Sequence, residues 1–119
     1  MGKVADIKET TGKITLADGK EYVIGWQFRS LEALEEQYGD ANLAIEAYER
    51  GSLKARKLVI WAALVPHNPE MTPEMVSSLL PLRGLTEIYT EVARVIMANS
   101  PEGAAGDEKN GEAGTAAEE

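Results

Sequence analysis

Eight consecutive apolar residues, "LVIWAALV" at Leu58–Val65, constrain this chain more than any other feature of it. They follow "SLKARK", where Ser52 suits the cap of a helix and the apolar positions still fall on one side. From Leu58 onward a helix would be apolar around its whole circumference, and such a helix belongs at the centre of a packed domain. The run is far shorter than the roughly 20 residues that cross a bilayer. It predicts a core helix, and the rest of the chain must supply what surrounds it.

The surrounding elements are legible on both sides. Upstream, "KITLADGKEYVI" sets two β-rich runs, Lys13–Leu16 and Lys20–Ile24, around Asp18-Gly19, a pair suited to a tight hairpin. Lys3–Glu9 is a candidate third strand. Two strands alone are marginally stable, so the sheet must rest on helices. "RSLEALEEQYGD" predicts a helix capped by Ser30 and stopped by Gly39, with Leu31, Leu34 and Tyr38 on one face. "DANLAIEAYERG" repeats the plan between Asp40 and Gly51, with Leu43, Ala44, Ala47 and Tyr48 inward. Downstream, "PHNPEM" breaks the chain. Thr72-Pro73-Glu74 then opens another helix, because proline's missing N–H costs nothing at the first helical position. Pro81 and Gly84 end or interrupt it. Leu85–Ala98 closes the series, with Leu85, Ile88, Tyr89, Val92 and Ile96 on one stripe.

The expected fold class is α+β: a small N-terminal antiparallel β-hairpin or three-stranded meander packed on a bundle of four to five α-helices. The domain spans 1–100, with the hairpin in 1–25 and the helical part in 30–98. Residues 101–119, "PEGAAGDEKNGEAGTAAEE", carry no large apolar side chain and cannot offset their ordering entropy by burial, so a disordered acidic tail is expected there. That tail holds six acidic residues against Lys109, a net of −5 of the chain's −8, which leaves −3 for residues 1–100. Binding of nucleic acid needs clustered Lys and Arg, and this balance argues against it.

Catalytic signatures are sparse. The absence of cysteine removes disulfides, thiolate chemistry and Cys-based zinc sites. His67, the single histidine, lies in a Pro-rich loop with no Ser or Asp at a known spacing. Acidic pairs such as Glu32/Glu35, Glu46/Glu49 and Glu87/Glu91 fall at helix starts or on polar faces. Asp40-Ala41-Asn42 with Glu46 lacks the turn glycine of a calcium loop and reads as a helix cap. No catalytic, cofactor-binding or metal residue is assigned, and the chain reads as a non-enzyme. Lys54, Arg56 and Lys57 form a small basic cluster at the start of the core helix. Trp26, Phe28 and Tyr48 are the candidate partner-interface residues, since aromatic side chains anchor many interfaces; the alternative for Trp26 and Phe28 is that they pin the sheet onto the helices.

The order of elements, with "FRSLEALEEQYGD", "AIEAYERGSLKARKLVIWAALV" and "NPEMTPEMVSSLL" before a last amphipathic helix, resembles the tail assembly chaperones of long-tailed, siphovirus-like phages and prophages. It is similar as well to the related small tail proteins of gene transfer agents. The likeness covers about residues 13–98. It implies a non-catalytic protein in the cytoplasm of a bacterial host that self-associates, keeps the tape measure protein soluble and helps recruit tail tube subunits, with no cofactor, nucleic acid or membrane involved. Many such chaperones also exist in a longer form made by ribosomal frameshifting. Glu108-Lys109-Asn110 can be encoded GAA-AAA-AAC, a slippery run, which makes these three codons the candidate frameshift site; the alternative for this stretch is a plain solubilising tail. The alternative reading is a minor structural tail component, a tube or completion protein, whose sheet extends between neighbours at an exposed edge strand.

Overall fold

The computed structural model describes residues 9–100. It is an α+β fold: strands β1 (Gly12–Thr15) and β2 (Glu21–Ile24), then helices α1 (Phe28–Tyr38), α2 (Ala41–Arg50), α3 (Leu53–Leu64), α4 (Pro73–Leu79) and α5 (Leu85–Asn99). Among the described residues the sheet has two antiparallel strands, with Gly12 opposite Ile24 and Thr15 opposite Glu21. The candidate third strand lies outside the described residues except for Glu9, which is in no strand. The acidic tail, with Glu108, Lys109 and Asn110, lies outside them too.

The apolar run does what its composition dictates. Every residue from Leu58 to Leu64 is buried, and α1, α2, α4, α5 and β2 all pack against this helix. Ser52 caps it, its Oγ accepting the Ala55 N–H at 3.2 Å. Trp61 is buried with its indole N–H donated to the Met71 carbonyl at 2.9 Å, so the one polar atom of that side chain stays satisfied inside the core.

Local punctuation agrees with expectation at α2 and α4. Asp40 accepts the Leu43 N–H at 3.0 Å, and Thr72 accepts the Met75 N–H at 3.1 Å ahead of Pro73. Gly51 takes a left-handed conformation at the end of α2, which a side chain would oppose. Three details differ. α1 begins at Phe28, and Gln27 is its cap position. Ser30 therefore lies one turn inside; fully buried, it reaches back so that its Oγ accepts the Gln27 N–H at 3.2 Å. On α2 the buried face is Ala41, Ala44, Ala47 and Tyr48, while Leu43 points outward. Leu43 stands about 100° around the helix from Ala44, on the flank of the stripe. On α5, Val95 joins Ile88 and Val92 inside, and Leu85, Tyr89 and Ile96 are half-buried.

The hairpin loop is longer than a two-residue Asp-Gly turn. Leu16 N–H reaches the Lys20 carbonyl at 3.1 Å and Gly19 N–H the Leu16 carbonyl at 2.9 Å, which leaves Ala17, Asp18 and Gly19 in the loop. Gly19 has positive φ, as the left-handed position of a three-residue loop requires. The Asp18 carboxylate clasps the turn by accepting from the Lys20 N–H and the Tyr22 hydroxyl. Those bonds, the tyrosine's first, hold its carboxyl below the usual range.

Each outer edge of the hairpin is partly engaged. On β2, Asn68 Nδ2 donates to the Val23 carbonyl at 2.9 Å, and Gly25 N–H donates to the Ala63 carbonyl at 2.9 Å just beyond the strand. On the β1 side, Arg94 reaches the Thr11 carbonyl at 3.3 Å, the Lys13 amide faces Glu91, and Ala17 N–H donates to the Leu79 carbonyl at 2.7 Å. These bonds engage part of each edge and leave less of it free to template another strand.

Candidate interaction surface

Two grooves flank α5 at its opposite ends. The first, about 540 Å³, lies between β1 with its loop and the start of α5. Lys13, Arg83, Glu87 and Glu91 bring both signs of charge to it. Glu91 is already engaged: Arg94 donates to both its carboxylate oxygens, at 2.9 and 2.8 Å, and this pairing lowers the Glu91 pKa and raises that of Arg94.

The second groove, about 440 Å³, is of another character. It opens between the start of α1, the outer flank of α2 and the end of α5, and Trp26, Phe28, Leu31, Ile45 and Ile96 provide an apolar lining. Gln27, Asn42, Asn99 and Ser100 add uncharged polar groups. Phe28 is 73% exposed, a large cost in unburied aromatic surface for a monomer to carry at a helix start. The two-residue step from Trp26 to Phe28 explains the contrast between them. Trp26 ends the extended segment that follows β2 and turns into the core, whereas Phe28 is the first residue of α1 and points away from it.

Of the three candidate interface aromatics, one presents its ring to solvent. Trp26 is 8% exposed and Tyr48 is 5% exposed, so neither stands out as a surface anchor. Trp26 fits the alternative reading, packing the hairpin's exit onto the helices. Tyr48 is a core strut: its hydroxyl donates to the Tyr89 carbonyl at 2.7 Å, its ring meets Tyr89 edge-on at 5.9 Å, and burial raises its pKa. The basic cluster is also partly spent inside the fold. The Arg56 guanidinium lies 4.3 Å from the Tyr89 ring centre and 5.4 Å from that of Tyr48, and its Nε donates to the Tyr48 carbonyl at 2.8 Å. Lys54 stands 5.7 Å over the Tyr38 ring.

His67 has a partner that sequence spacing could not reveal. Its Nε2 lies 3.0 Å from Glu9 Oε1, which also accepts from Gln27 Nε2 at 2.9 Å. The other oxygen of Glu9 is buried against Gly25, where any side chain would overlap it. No nucleophile is bonded to this pair, and among the described residues no group of three or more His, Asp or Glu side chains is arranged to hold a metal ion. No helix among them is long and apolar enough to cross a membrane.

Residues that sequence reading did not assign to a surface complete the apolar groove: Leu31, Ile45 and Ile96. Leu31 and Ile96 were legible as apolar positions of helical stripes. Ile45 stands on the flank opposite Leu43, and a stripe analysis has no means of telling which flank meets a neighbour.

No known protein family, curated protein or solved structure matches the chain.

Proposed function

We propose that this protein is a non-catalytic binding protein, a tail assembly chaperone of the kind made by long-tailed phages and prophages. In this reading it holds the apolar stripes of the tape measure protein in solution, helps bring up tail tube subunits and acts in the host cytoplasm. The observation that carries the reading is the apolar groove beside the exposed Phe28 ring. An amphipathic helix offers apolar side chains at i, i+3, i+4 and i+7, and a groove lined by Trp26, Leu31, Ile45 and Ile96 suits that spacing. Many copies, each gripping weakly, would coat a long client by avidity, with no single tight contact needed. Neighbouring copies would then touch along the client, which is how self-association enters.

The resemblance across about residues 13–98 supplies the identity of the client, and the groove supplies a place for it. The alternative, a minor structural tail component, depends on a free strand edge. It draws less support, because each edge of the hairpin is partly engaged, by Asn68 on the Val23 carbonyl, by Arg94 on the Thr11 carbonyl and by the Ala17 N–H on the Leu79 carbonyl.

Co-expression with the tape measure protein tests the reading. The client should move into the soluble fraction with the intact chain and remain insoluble with a Phe28→Asp variant that still folds. A client equally insoluble with and without the chain would overturn it.

A further inference from the structure

The corner where α2 passes into α3 carries charges that the fold does not use. Residues 50–57, "RGSLKARK", bring four cations and no acid, although residues 1–100 as a whole are net −3. Arg56 is spent inward, its Nε on the Tyr48 carbonyl and its guanidinium over the Tyr89 ring. Arg50 and Lys54 are exposed and Lys57 is half-buried. None of these three forms an ion pair among the described residues. Lys54 stands over the Tyr38 ring with its charge still open to solvent.

Short-range chemistry does not account for them. Positive side chains in the opening turns of a helix oppose its dipole, and α3 has no acidic residue in its first turn to offset them. Glu46 precedes Arg50 by four residues on α2, a spacing that suits an ion pair, yet the two form none. Among these cations lies Leu53, the first residue of α3, 75% exposed. At about 100° per residue, Leu53, Lys54 and Lys57 share the face of α3 opposite the buried Ala55. Arg50 comes to the same corner from the end of α2, across Gly51-Ser52. An isolated exposed leucine is ordinary. A leucine set among cations that lack partners is the complement of an acidic segment with an apolar side chain at its centre.

We propose that this corner docks an acidic peptide segment of a partner protein, its carboxylates on Arg50, Lys54 and Lys57 and an apolar side chain on Leu53. Charge complementarity steers the segment in and sets its register, and removing the Leu53 surface from water adds affinity that the charges alone lack. A nucleic acid fits less well. The acidic remainder of the domain repels a phosphate polymer beyond the corner, and Leu53 offers no ring for a base to stack on. The apolar groove borders α2 at Asn42 and Ile45, whereas the corner starts at Arg50, so the proposal stands whether or not the groove holds a helix.

Fluorescence anisotropy of a short labelled peptide of glutamates with leucines at its centre, mixed with the full-length chain, provides the test. Binding at low ionic strength that weakens as salt is added is expected. A Lys54→Glu, Lys57→Glu double variant should bind about tenfold more weakly or worse, and Leu53→Ser about threefold more weakly. Both variants keep Arg56, so thermal melts close to that of the parent should accompany the lost binding. On titration the amide signals of residues 50–57 should move while those of Phe28 and Ile96 stay. No binding to the full-length chain, the result if the chain's own acidic residues covered the corner, would overturn the proposal. So would an all-glutamate peptide bound as tightly as the leucine one, an oligonucleotide bound more tightly than either, or signal changes centred on the groove.

Discussion

α3 and α5 are both long apolar-rich helices of the same domain, yet they meet their surroundings in opposite ways. α3 is enclosed on every side from Leu58 to Leu64, with five other elements packed on it. α5 buries one stripe, Ile88, Val92 and Val95, and leaves a groove at each end. A helix apolar all round leaves its surroundings no freedom, since every neighbour must cover it. A helix with one apolar stripe is covered on that stripe and free elsewhere, which leaves room for the two grooves on the flanks of α5. The contrast predicts steep stability losses in α3 and shallow ones at the groove, with binding affected in the reverse order.

The largest expected effect is therefore Leu64→Ala. Leu64 is fully buried in a saturated layer, and truncation removes transfer free energy and leaves a cavity, at a cost of about 2–5 kcal/mol. Ile96→Ala, at the half-buried groove wall, should cost about 1 kcal/mol or less. Urea unfolding of both variants measures the difference, and equal losses would mean that the groove is filled as tightly as the core.

Arg56→Lys comes next. Arg56 joins α3 to α2 and α5 through the Tyr48 carbonyl and the Tyr89 ring. A lysine retains the charge but not the flat guanidinium face or its directed Nε–H. A loss of about 1–2 kcal/mol is expected, from one hydrogen bond and one cation–π contact, and a thermal melt reads it. A loss near zero would show that α5 is held by its apolar stripe alone, which would sharpen the contrast further.

How much of this was legible in the sequence follows the same division. The enclosed helix, the caps at Asp40, Ser52 and Thr72, and the stop at Gly51 all express short-range chemistry, and a linear reading finds them. Ser30 was misplaced by one turn, because a serine that caps and a serine that reaches back from inside the helix carry the same letters around them. Of the aromatics, Tyr48 lay on a legible stripe, yet its hydroxyl partner sits 41 residues away on α5. Trp26 and Phe28, two residues apart, end up on opposite sides of the surface because the chain changes from extended to helical between them. The groove itself joins three segments distant in sequence, and the Glu9–His67 contact bridges 58 residues. Periodicity says which residues avoid water, but not which separate stripes converge.

Asn99→Ala tests how the groove end of α5 is tied down. Its side-chain amide holds both backbone groups of Thr10 and also the Val95 carbonyl. Removing it leaves the Thr10 groups to find water, which they can do at this half-buried site, so about 1 kcal/mol should be lost. Amide exchange at Thr10 and Thr11 should quicken while that at Val59 and Ile60 stays slow.

At the other groove, acid replaces mutation as the probe. The Arg94 hydrogen bonds hold Glu91 below the usual carboxylate range. A carboxyl whose folded pKa is depressed adds stability above its unfolded value, and that increment disappears as pH falls through the folded one. Acidification below about pH 4 should thus loosen α5 from β1, by no more than about 1 kcal/mol for so exposed a pair. Arg94→Gln should remove that part of the acid sensitivity, while an unchanged pH profile would assign it to Asp18, whose pKa is depressed in the same direction.

The smallest expected effect on stability is that of Phe28→Asp, and it discriminates most sharply between the two helices' surroundings. The ring is 73% exposed, so little buried area is lost. An acidic residue in the first turn of α1 also interacts favourably with the helix N-terminus, which has no acidic residue there at present. The net change in unfolding free energy should lie within about 0.5 kcal/mol. Binding should respond in the opposite sense: a charge at the mouth of an apolar groove must be desolvated by anything that docks there, and capture of an apolar helical client should fall steeply. A variant that unfolds easily would mean that Phe28 is covered in solution. One that keeps both its stability and its client would move the binding surface away from the end of α5.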